Sequence, residues 1–163
     1  MRFKDRHDAG IKLAGKLAEY KDKGAIVLAI PRGGVEIGFE IAKALSARLD
    51  IIVTKKIGLP GEGEFAIGSV APDKKVMLNE ETIRIYNVPK DYIGSQKREI
   101  GEEIERRYRV YKGKYELPAI KGKIVILTDD GIATGFTTKA AVEYVKSQKP
   151  KKLILAVPVA PSN

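Results

Sequence analysis

Apolar residues along this chain follow two patterns, short continuous runs and longer stretches with helical spacing. The runs predict strands at residues 25–30, 51–54, 124–127 and 153–157, and the helical spacing predicts helices at residues 8–20, 35–45, 91–111 and 137–147. Because strands and helices alternate, we expect parallel pairing through helical crossovers. Continuous runs are typical of a sheet covered on both faces. The pattern therefore predicts an α/β fold with a mostly parallel central sheet flanked by helices.

Three of the predicted helices have an apolar face that should pack inward. These faces are Leu13, Leu17 and Tyr20; Val35, Phe39, Ala42 and Leu45; and Ile93, Ile100, Ile104, Tyr108 and Tyr111. The helix at 91–111 is a long insertion with dense charges elsewhere, and we interpret it as a surface helix with many salt bridges. Alternatively, its tyrosines belong to a self-association face, which would make the protein a homodimer.

The segment between the two halves of the chain is less regular. Residues 59–68 predict a mobile, irregular loop because they contain Pro60, Gly61, Gly63 and Gly68. Residues 65–70 and 75–78 are expected to form a hairpin around Pro72 and Asp73. The whole chain, residues 1–163, has the length of one domain with its own core.

Composition excludes some kinds of chemistry and leaves others open. The chain has no cysteine, so disulfides, thiolate metal sites and thiol nucleophiles are excluded. Neither a signal peptide nor a membrane-length apolar segment is visible, so we expect a cytoplasmic protein. The abundant Lys and Glu are common in proteins of thermophiles. The net charge of +9 suits a nucleic acid, a polyphosphate substrate or simply a solvated lysine-rich surface.

The most informative stretch follows the predicted strand at 124–127. Two adjacent acids, Asp129 and Asp130, are followed by a turn into a helix that contains Thr134, Gly135, Thr137 and Thr138. The first amides of a helix have no partner inside it, so such a turn can bind a phosphate. Carboxylates beside a phosphate suit vicinal hydroxyls, as on a ribose, or a bridging cation.

Other strand ends carry residues of a matching kind. Arg32, Gly33 and Gly34 follow the first strand, and Lys55 and Lys56 follow the second. Ligands of open parallel sheets bind beyond the carboxyl ends of the strands, so we expect these residues to share one site with the acids.

In its acid pair and Thr-Gly turn, residues 125–138 resemble the phosphoribosyl-pyrophosphate (PRPP) motif of the type I phosphoribosyltransferases. The resemblance implies that Asp129 and Asp130 hold the ribose hydroxyls. It implies that the 5′-phosphate is bound by Gly131, Ala133, Thr134, Gly135, Thr137 and Thr138. The pyrophosphate would be bound by Arg32, Gly33, Gly34, Lys55 and Lys56, and residues 58–68 would form a flexible lid. Asp129, Asp130 and Arg32 are the implied catalytic residues.

The resemblance is strongest to poorly characterised bacterial and archaeal members of this superfamily. They share the N-terminal residues Asp5, Arg6, Ala9 and Gly10, the turn at 31–34 and the ending at 157–161. Enzymes for hypoxanthine and guanine place a third acid where this chain has Ala133, which argues against that purine route. The chain ends just beyond its last predicted strand. The base-covering hood is therefore expected either from the N-terminal helix and the middle segment or from a further C-terminal tail.

The resemblance implies a Mg²⁺-dependent transferase that moves the 5-phosphoribosyl group of PRPP to a nucleobase or small amine and releases pyrophosphate. It does not identify the acceptor or the residues that bind the metal. An alternative is a non-catalytic PRPP-binding regulator that binds RNA or DNA, and a third reading is an inactive scaffold. His7, the only histidine, is interpreted as a solvated residue at a helix start.

Overall fold

The computed structural model describes residues 3–132 and 135–161 of the chain. Its contacts divide these residues into two compact units. The first contains residues 3–52, 118–132 and 145–161, and the second contains Val53–Leu117 and Gly135–Tyr144. No helix within the described part of the chain has the length and apolar character needed to cross a membrane. A single domain over residues 1–163 stays a prediction.

Five helices and seven strands are formed by the described residues. In chain order they are α1 (Arg6–Lys16), β1 (Ile26–Ala29), α2 (Gly33–Leu45), β2 (Arg48–Ile51), β3 (Lys55–Leu59), β4 (Glu62–Val70), β5 (Val76–Leu78), α3 (Glu80–Ile85), α4 (Lys90–Lys112), β6 (Ile124–Thr128), α5 (Phe136–Ser147) and β7 (Lys152–Ala156). A short 3₁₀ helix, Ala18–Tyr20, follows α1. All four predicted helices are present, whereas the short helix α3 was not predicted.

The first unit is built on a parallel sheet with the strand order β2-β1-β6-β7. Ala29 pairs with Ile51 on one side and with Thr128 on the other, and Thr128 pairs with Ala156. The carboxyl ends of the four strands are therefore level with one another. The predicted parallel sheet is confirmed.

The edge strand β2 begins three residues earlier than predicted. Arg48 and Asp50 form an ion pair of 3.3 Å within it, and these polar residues concealed the strand in the sequence. Ile52, in the apolar run, lies beyond the strand, where its amide donates to the carbonyl of Ala29 at 3.0 Å. An edge strand pairs on one side only, so it tolerates polar residues that an inner strand does not.

The predicted inward face of α2 is confirmed at Ala42 and Leu45, which are buried, and is wrong in its first half. Phe39 is 53% exposed and Val35 is half-buried, whereas Ile37 and Ile41 are fully buried. The orientation follows from close approach of the helix to the sheet at Gly38. A Cβ there would lie 2.9 Å from Ala29 Cβ. The apolar pattern misplaced the first half of this face because a glycine forms the contact with the sheet.

Helix α1 covers α2 through a second close approach. A Cβ at Gly10 would lie 2.8 Å from Glu40 Cβ and 3.1 Å from the carbonyl oxygen of Ile37. The core of this unit combines residues from both helices and the sheet: Ala9, Ala14, Leu17, Tyr20, Val27, Ile37, Ile41, Leu45, Ile126 and Ala156. His7 Nδ1 lies 3.2 Å from Glu40 Oε1 on the outside of this helix pair.

The second unit contains an antiparallel sheet in the order β3-β4-β5. The hairpin predicted from residues 65–70 and 75–78 is confirmed as β4 and β5. The prediction of an irregular loop over 59–68 is wrong, because most of these residues belong to β3 and β4. The pairing of β3 with β4 contains register shifts at Gly58, where an added Cβ would lie 2.6 Å from the backbone of Gly63. Glycine here permits close strand packing.

The long helix α4 packs most of its apolar stripe inside the second unit, but Tyr111, which was predicted to face inward, is 44% exposed. Ile100, Ile104 and Tyr108 are buried, and the Tyr108 hydroxyl accepts a hydrogen bond from the Val53 amide at 3.3 Å. Arg106 and Arg107 donate to Glu103 and lower the pKa of that carboxyl to about 2. The interpretation as a salt-bridged surface helix is confirmed. Homodimer formation stays a prediction.

Candidate functional site

The acid pair, Asp129 and Asp130, directly follows β6 in the first unit. The Asp130 amide donates to Asp129 Oδ1 at 2.8 Å, which orders the two residues. Burial raises the pKa of Asp129 to about 6; the Asp130 amide opposes this shift, and the negative charge of Asp130 adds to it. Thr128, the last residue of β6, is fully buried, and its hydroxyl has no hydrogen-bond partner within the described part of the chain. A partly buried carboxylate here can accept hydrogen bonds from a polyol.

The turn from β1 into α2 lies against the acid pair. A Cβ at Gly33 would overlap the Asp130 carboxylate, and one at Gly34 would lie 2.9 Å from Asp129 Cα. The two glycines therefore allow the start of α2 to contact both acids. The peptide bond between Pro31 and Arg32 is cis.

The glycine turn was predicted to offer backbone amides to a pyrophosphate. The Gly34 amide instead donates to the Ile30 carbonyl at 3.1 Å. Arg32 is exposed, and no acid forms an ion pair with it among residues 3–132 and 135–161. An exposed guanidinium of this kind is available to a bidentate oxyanion. Pyrophosphate binding by Arg32, Gly33 and Gly34 stays a prediction.

Arg6 belongs to this site, although the sequence did not assign it a role. Its Nε and Nη2 atoms donate to Asp130 Oδ2 at 3.0 and 2.7 Å, across 124 residues of sequence. The hydrogen bond to Asp130 raises the pKa of Arg6. The only signal in the sequence was the N-terminal stretch of four shared residues. Asp5 caps α1 by accepting from the Asp8 amide at 2.8 Å, which holds Arg6 at the start of the helix.

A cavity of about 380 Å³ opens beside Arg6 and Asp130 within the first unit. Residues from both helices and from two strand ends line it: Phe3, Asp5, Arg6, Ala9, Glu36, Ile37, Asp130, Pro158 and Val159. The Ile132 amide donates to the Val159 carbonyl at 2.9 Å, so the segment after β7 is tied to the one after the acid pair. Below, this space is called the Arg6 cavity.

Apart from Gly131, the remaining predicted site residues lie in the second unit or outside the described residues. Lys55 opens β3 and lines a cavity of about 520 Å³ with Ile100, Arg106, Glu99, Glu102 and Glu103. Lys56 follows it in the same strand. Their binding of pyrophosphate stays a prediction, as does the role of residues 58–68 as a flexible lid.

The predicted phosphate turn is described only in part. Ala133 and Thr134 lie outside the described residues. Gly135 has φ +79°, a left-handed conformation that favours glycine, and its carbonyl accepts from the Lys139 amide at 2.7 Å. The Thr137 carbonyl accepts from the Thr54 hydroxyl at 3.1 Å, and Thr138 is buried. In the first unit, Gly131 lies against the segment after β7, and a Cβ added at this glycine would be 3.7 Å from the Val159 carbonyl oxygen.

A parallel sheet with an acid pair after one strand and a glycine turn after its neighbour defines an α/β protein with a candidate ligand site at the carboxyl ends of its strands. The chain belongs to the phosphoribosyl transferase family, whose domain matches residues 3–163. A Mycobacterium tuberculosis protein that is named as a phosphoribosyl transferase is 39% identical to this chain over 162 residues. The match covers 99% of this chain and 36% of that protein. The chain thus spans little more than a third of that relative's length.

Several solved structures share the fold of this chain. The crystal structure of TT1426 from Thermus thermophilus has 37% identity and a TM-score of 0.76, and the match covers 98% of this chain and 76% of that one. A purine phosphoribosyltransferase from Pyrococcus horikoshii matches at 21% identity and TM-score 0.54, over 93% and 70% of the two chains. A hypoxanthine phosphoribosyltransferase from Staphylococcus aureus matches at 15% identity and a TM-score of 0.55, and the match covers 94% of this chain and 61% of that one. The last two show the fold alone.

Proposed function

We propose that this protein transfers the 5-phosphoribosyl group of PRPP to a nitrogen of a nucleobase or small amine and releases pyrophosphate. The observation that supports this most strongly is the contact between the acid pair and the glycine turn. The two strand ends that the sequence related to ribose and pyrophosphate are thus in contact within one compact unit.

In this reaction the bond between ribose C1′ and a pyrophosphate oxygen breaks, and a bond from the acceptor nitrogen to C1′ forms. Positive charge develops on the ribose ring, and negative charge develops on the leaving group. Asp129 and Asp130 would accept hydrogen bonds from the ribose hydroxyls and stabilise the positive charge without becoming nucleophiles. Arg32, which is exposed and directly precedes the two glycines that contact the acid pair, would neutralise the pyrophosphate.

The donor set fits a Mg²⁺ ion that arrives with the substrate. Among residues 3–132 and 135–161, no group of three or more acidic or histidine side chains could hold a metal ion by itself. Mg²⁺ is commonly bound by one or two carboxylates together with substrate phosphates and water. Asp129 and Asp130 would supply those carboxylates, and the bound ion would neutralise the pyrophosphate.

The raised pKa of Asp129 predicts a pH dependence of PRPP binding. The ionised carboxylate is the hydrogen-bond acceptor, so affinity should be full above pH 7 and should fall as the pH drops through about 6. We expect binding at pH 5 to be about tenfold weaker than at pH 7. Isothermal titration calorimetry over this range measures the effect.

The phosphates of PRPP also titrate near this pH, so a control is needed. The variant Asp129→Asn should bind more weakly at every pH and should show only the ligand's own pH dependence. Equal pH profiles for the two proteins would show that protonation of Asp129 does not cause the pH dependence of PRPP binding.

One observation favours a second candidate, a PRPP-binding regulator that binds RNA or DNA. At the amino ends of β1, β6 and β7, opposite the acid pair, lie seven exposed lysines: Lys21, Lys23, Lys121, Lys123, Lys149, Lys151 and Lys152. Only Glu19 and Asp22 are acidic in the segment that precedes β1 there. The Lys151 amide donates to the Lys123 carbonyl at 2.8 Å, which joins two of these segments. Clustered lysines on an ordered surface attract a phosphate backbone.

One experiment separates the two functions. The protein is incubated with PRPP, Mg²⁺ and a panel of nucleobases and small amines, and pyrophosphate release is measured. Acceptor-dependent release is the expected result. PRPP binding without release for any acceptor, together with nucleic-acid binding that weakens steeply with salt, would instead identify the regulator.

A further inference from the structure

We infer that the Arg6 cavity is the acceptor site and that it selects a planar, uncharged or cationic acceptor with N–H donors over an anionic one. This inference rests on the proposed phosphoribosyl transfer. It concerns residues of α1 and α2 that the sequence did not assign to the site.

The position of the cavity supports an acceptor role. Asp130 belongs both to the acid pair and to the lining of the cavity. A ribose held by Asp130 would therefore border this space, and a molecule in the cavity would lie beside the sugar. A volume of about 380 Å³ is in the range of small-molecule sites.

The walls of the cavity suit a flat ring. Ile37 is fully buried at one side, and Phe3, Pro158 and Val159 contribute further apolar surface. These side chains come from the N-terminal segment, from α2 and from the segment after β7. A planar heterocycle or aromatic amine would bury its faces against them.

The polar groups of the cavity are mainly hydrogen-bond acceptors. Three carboxylates, those of Asp5, Glu36 and Asp130, line it with one guanidinium. That guanidinium is engaged, because two nitrogens of Arg6 donate to a single oxygen of Asp130. Glu36 is exposed and forms no ion pair among residues 3–132 and 135–161. An anionic acceptor would have to displace Arg6 from Asp130 while facing the other two carboxylates. N–H donors would instead meet hydrogen-bond acceptors, chiefly Glu36, because Asp5 already caps α1 and Asp130 already accepts from Arg6.

An isosteric pair of probes tests this charge preference. Benzamidine and benzoate have the same planar shape and opposite charges, and their binding is measured by ligand-observed NMR in the presence of PRPP and Mg²⁺. We expect benzamidine to bind about tenfold more tightly than benzoate, since two partly exposed charges each contribute modestly. The double variant Asp5→Asn/Glu36→Gln should remove most of that preference. Asparagine at position 5 can still cap α1.

The matched control is Glu19→Gln/Asp22→Asn, which neutralises one glutamate and one aspartate, as the cavity variant does, but at positions outside the cavity. It should keep the wild-type preference for benzamidine. The inference is overturned if benzoate binds as tightly as benzamidine, if neither probe binds, or if the cavity variant and the control behave alike.

A separate titration of wild-type protein with PRPP distinguishes failure of the inference from failure of the proposed function. PRPP binding with no charge preference among the probes would overturn the acceptor site alone. Absence of PRPP binding would overturn the proposed function, and the acceptor site with it.

Discussion

Replacing Asp129 and Asp130 together by asparagine is expected to weaken PRPP binding at least about a hundredfold, because hydrogen bonds to two charged acceptors are lost. The fold should be retained. Burial raises the pKa of Asp129 to about 6, so its charge destabilises the folded protein above that pH, and this effect is absent below the ordinary value of 3.8. A neutral residue at position 129 should therefore not lower Tm at pH 7.5.

Calorimetric titration with PRPP and a thermal unfolding scan measure the two halves of this prediction. The matched control is Asp22→Asn/Asp91→Asn, which makes the same chemical change at two residues outside the acid pair. It should bind PRPP as the wild type does. Full PRPP affinity in the Asp129→Asn/Asp130→Asn variant would mean that the sugar binds elsewhere.

Replacing Gly34 by alanine is expected to destabilise the protein by about 1–3 kcal/mol, as overpacked substitutions do. The new Cβ would lie 2.9 Å from both Asp129 Cα and the Thr128 carbonyl oxygen. Both atoms belong to the backbone and cannot rotate away, so α2 would have to move from the sheet. Thermal unfolding should show a Tm lower by about 2–4 °C for each kcal/mol lost.

Gly33→Ala provides the informative comparison, because its Cβ would meet the side chain of Asp130 instead. Rotation can move the carboxylate away, but Asp130 Cβ would stay 2.9 Å from the new Cβ. We therefore expect a loss of stability comparable to that of Gly34→Ala, together with a clear loss of PRPP affinity. Gly15→Ala is the control, since a Cβ in this helical position meets nothing within 4 Å. It should stabilise the protein slightly. Equal unfolding temperatures for Gly34→Ala and Gly15→Ala would contradict the proposed close packing.

Much of the fold could be read from local sequence. Continuous apolar runs identified the inner strands β1 and β6 because both faces of those strands are buried. The edge strand β2 was misplaced, since Arg48 and the buried Asp50 interrupt its apolar pattern. Phe39 was wrongly assigned to the inner face of α2 because Gly38 contacts the sheet, and a glycine leaves no mark in an apolar pattern. Strand β3 and the first residues of β4 were hidden by glycines that permit tight antiparallel packing.

The candidate site divides in the same way. Adjacent acids after a buried strand were recognisable in sequence because Asp129 and Asp130 are chain neighbours with a fixed relation to β6. The role of Arg6 was not recognisable in the sequence, because its partner Asp130 is 124 residues away along the chain. Nothing in either local segment indicates the other.

Local sequence by itself determined the class of fold, the order of strands and helices along the chain and the presence of an acid pair at a strand end. Hydrophobic periodicity and adjacent charges are properties of neighbouring residues, so they can be read from the sequence without a structure. Only the tertiary structure decided which face of α2 meets the sheet, which cation neutralises Asp130 and which side chains enclose the Arg6 cavity. These depend on close approaches between distant segments, where the absence of a side chain at Gly10, Gly33, Gly34 and Gly38 matters as much as any group that is present.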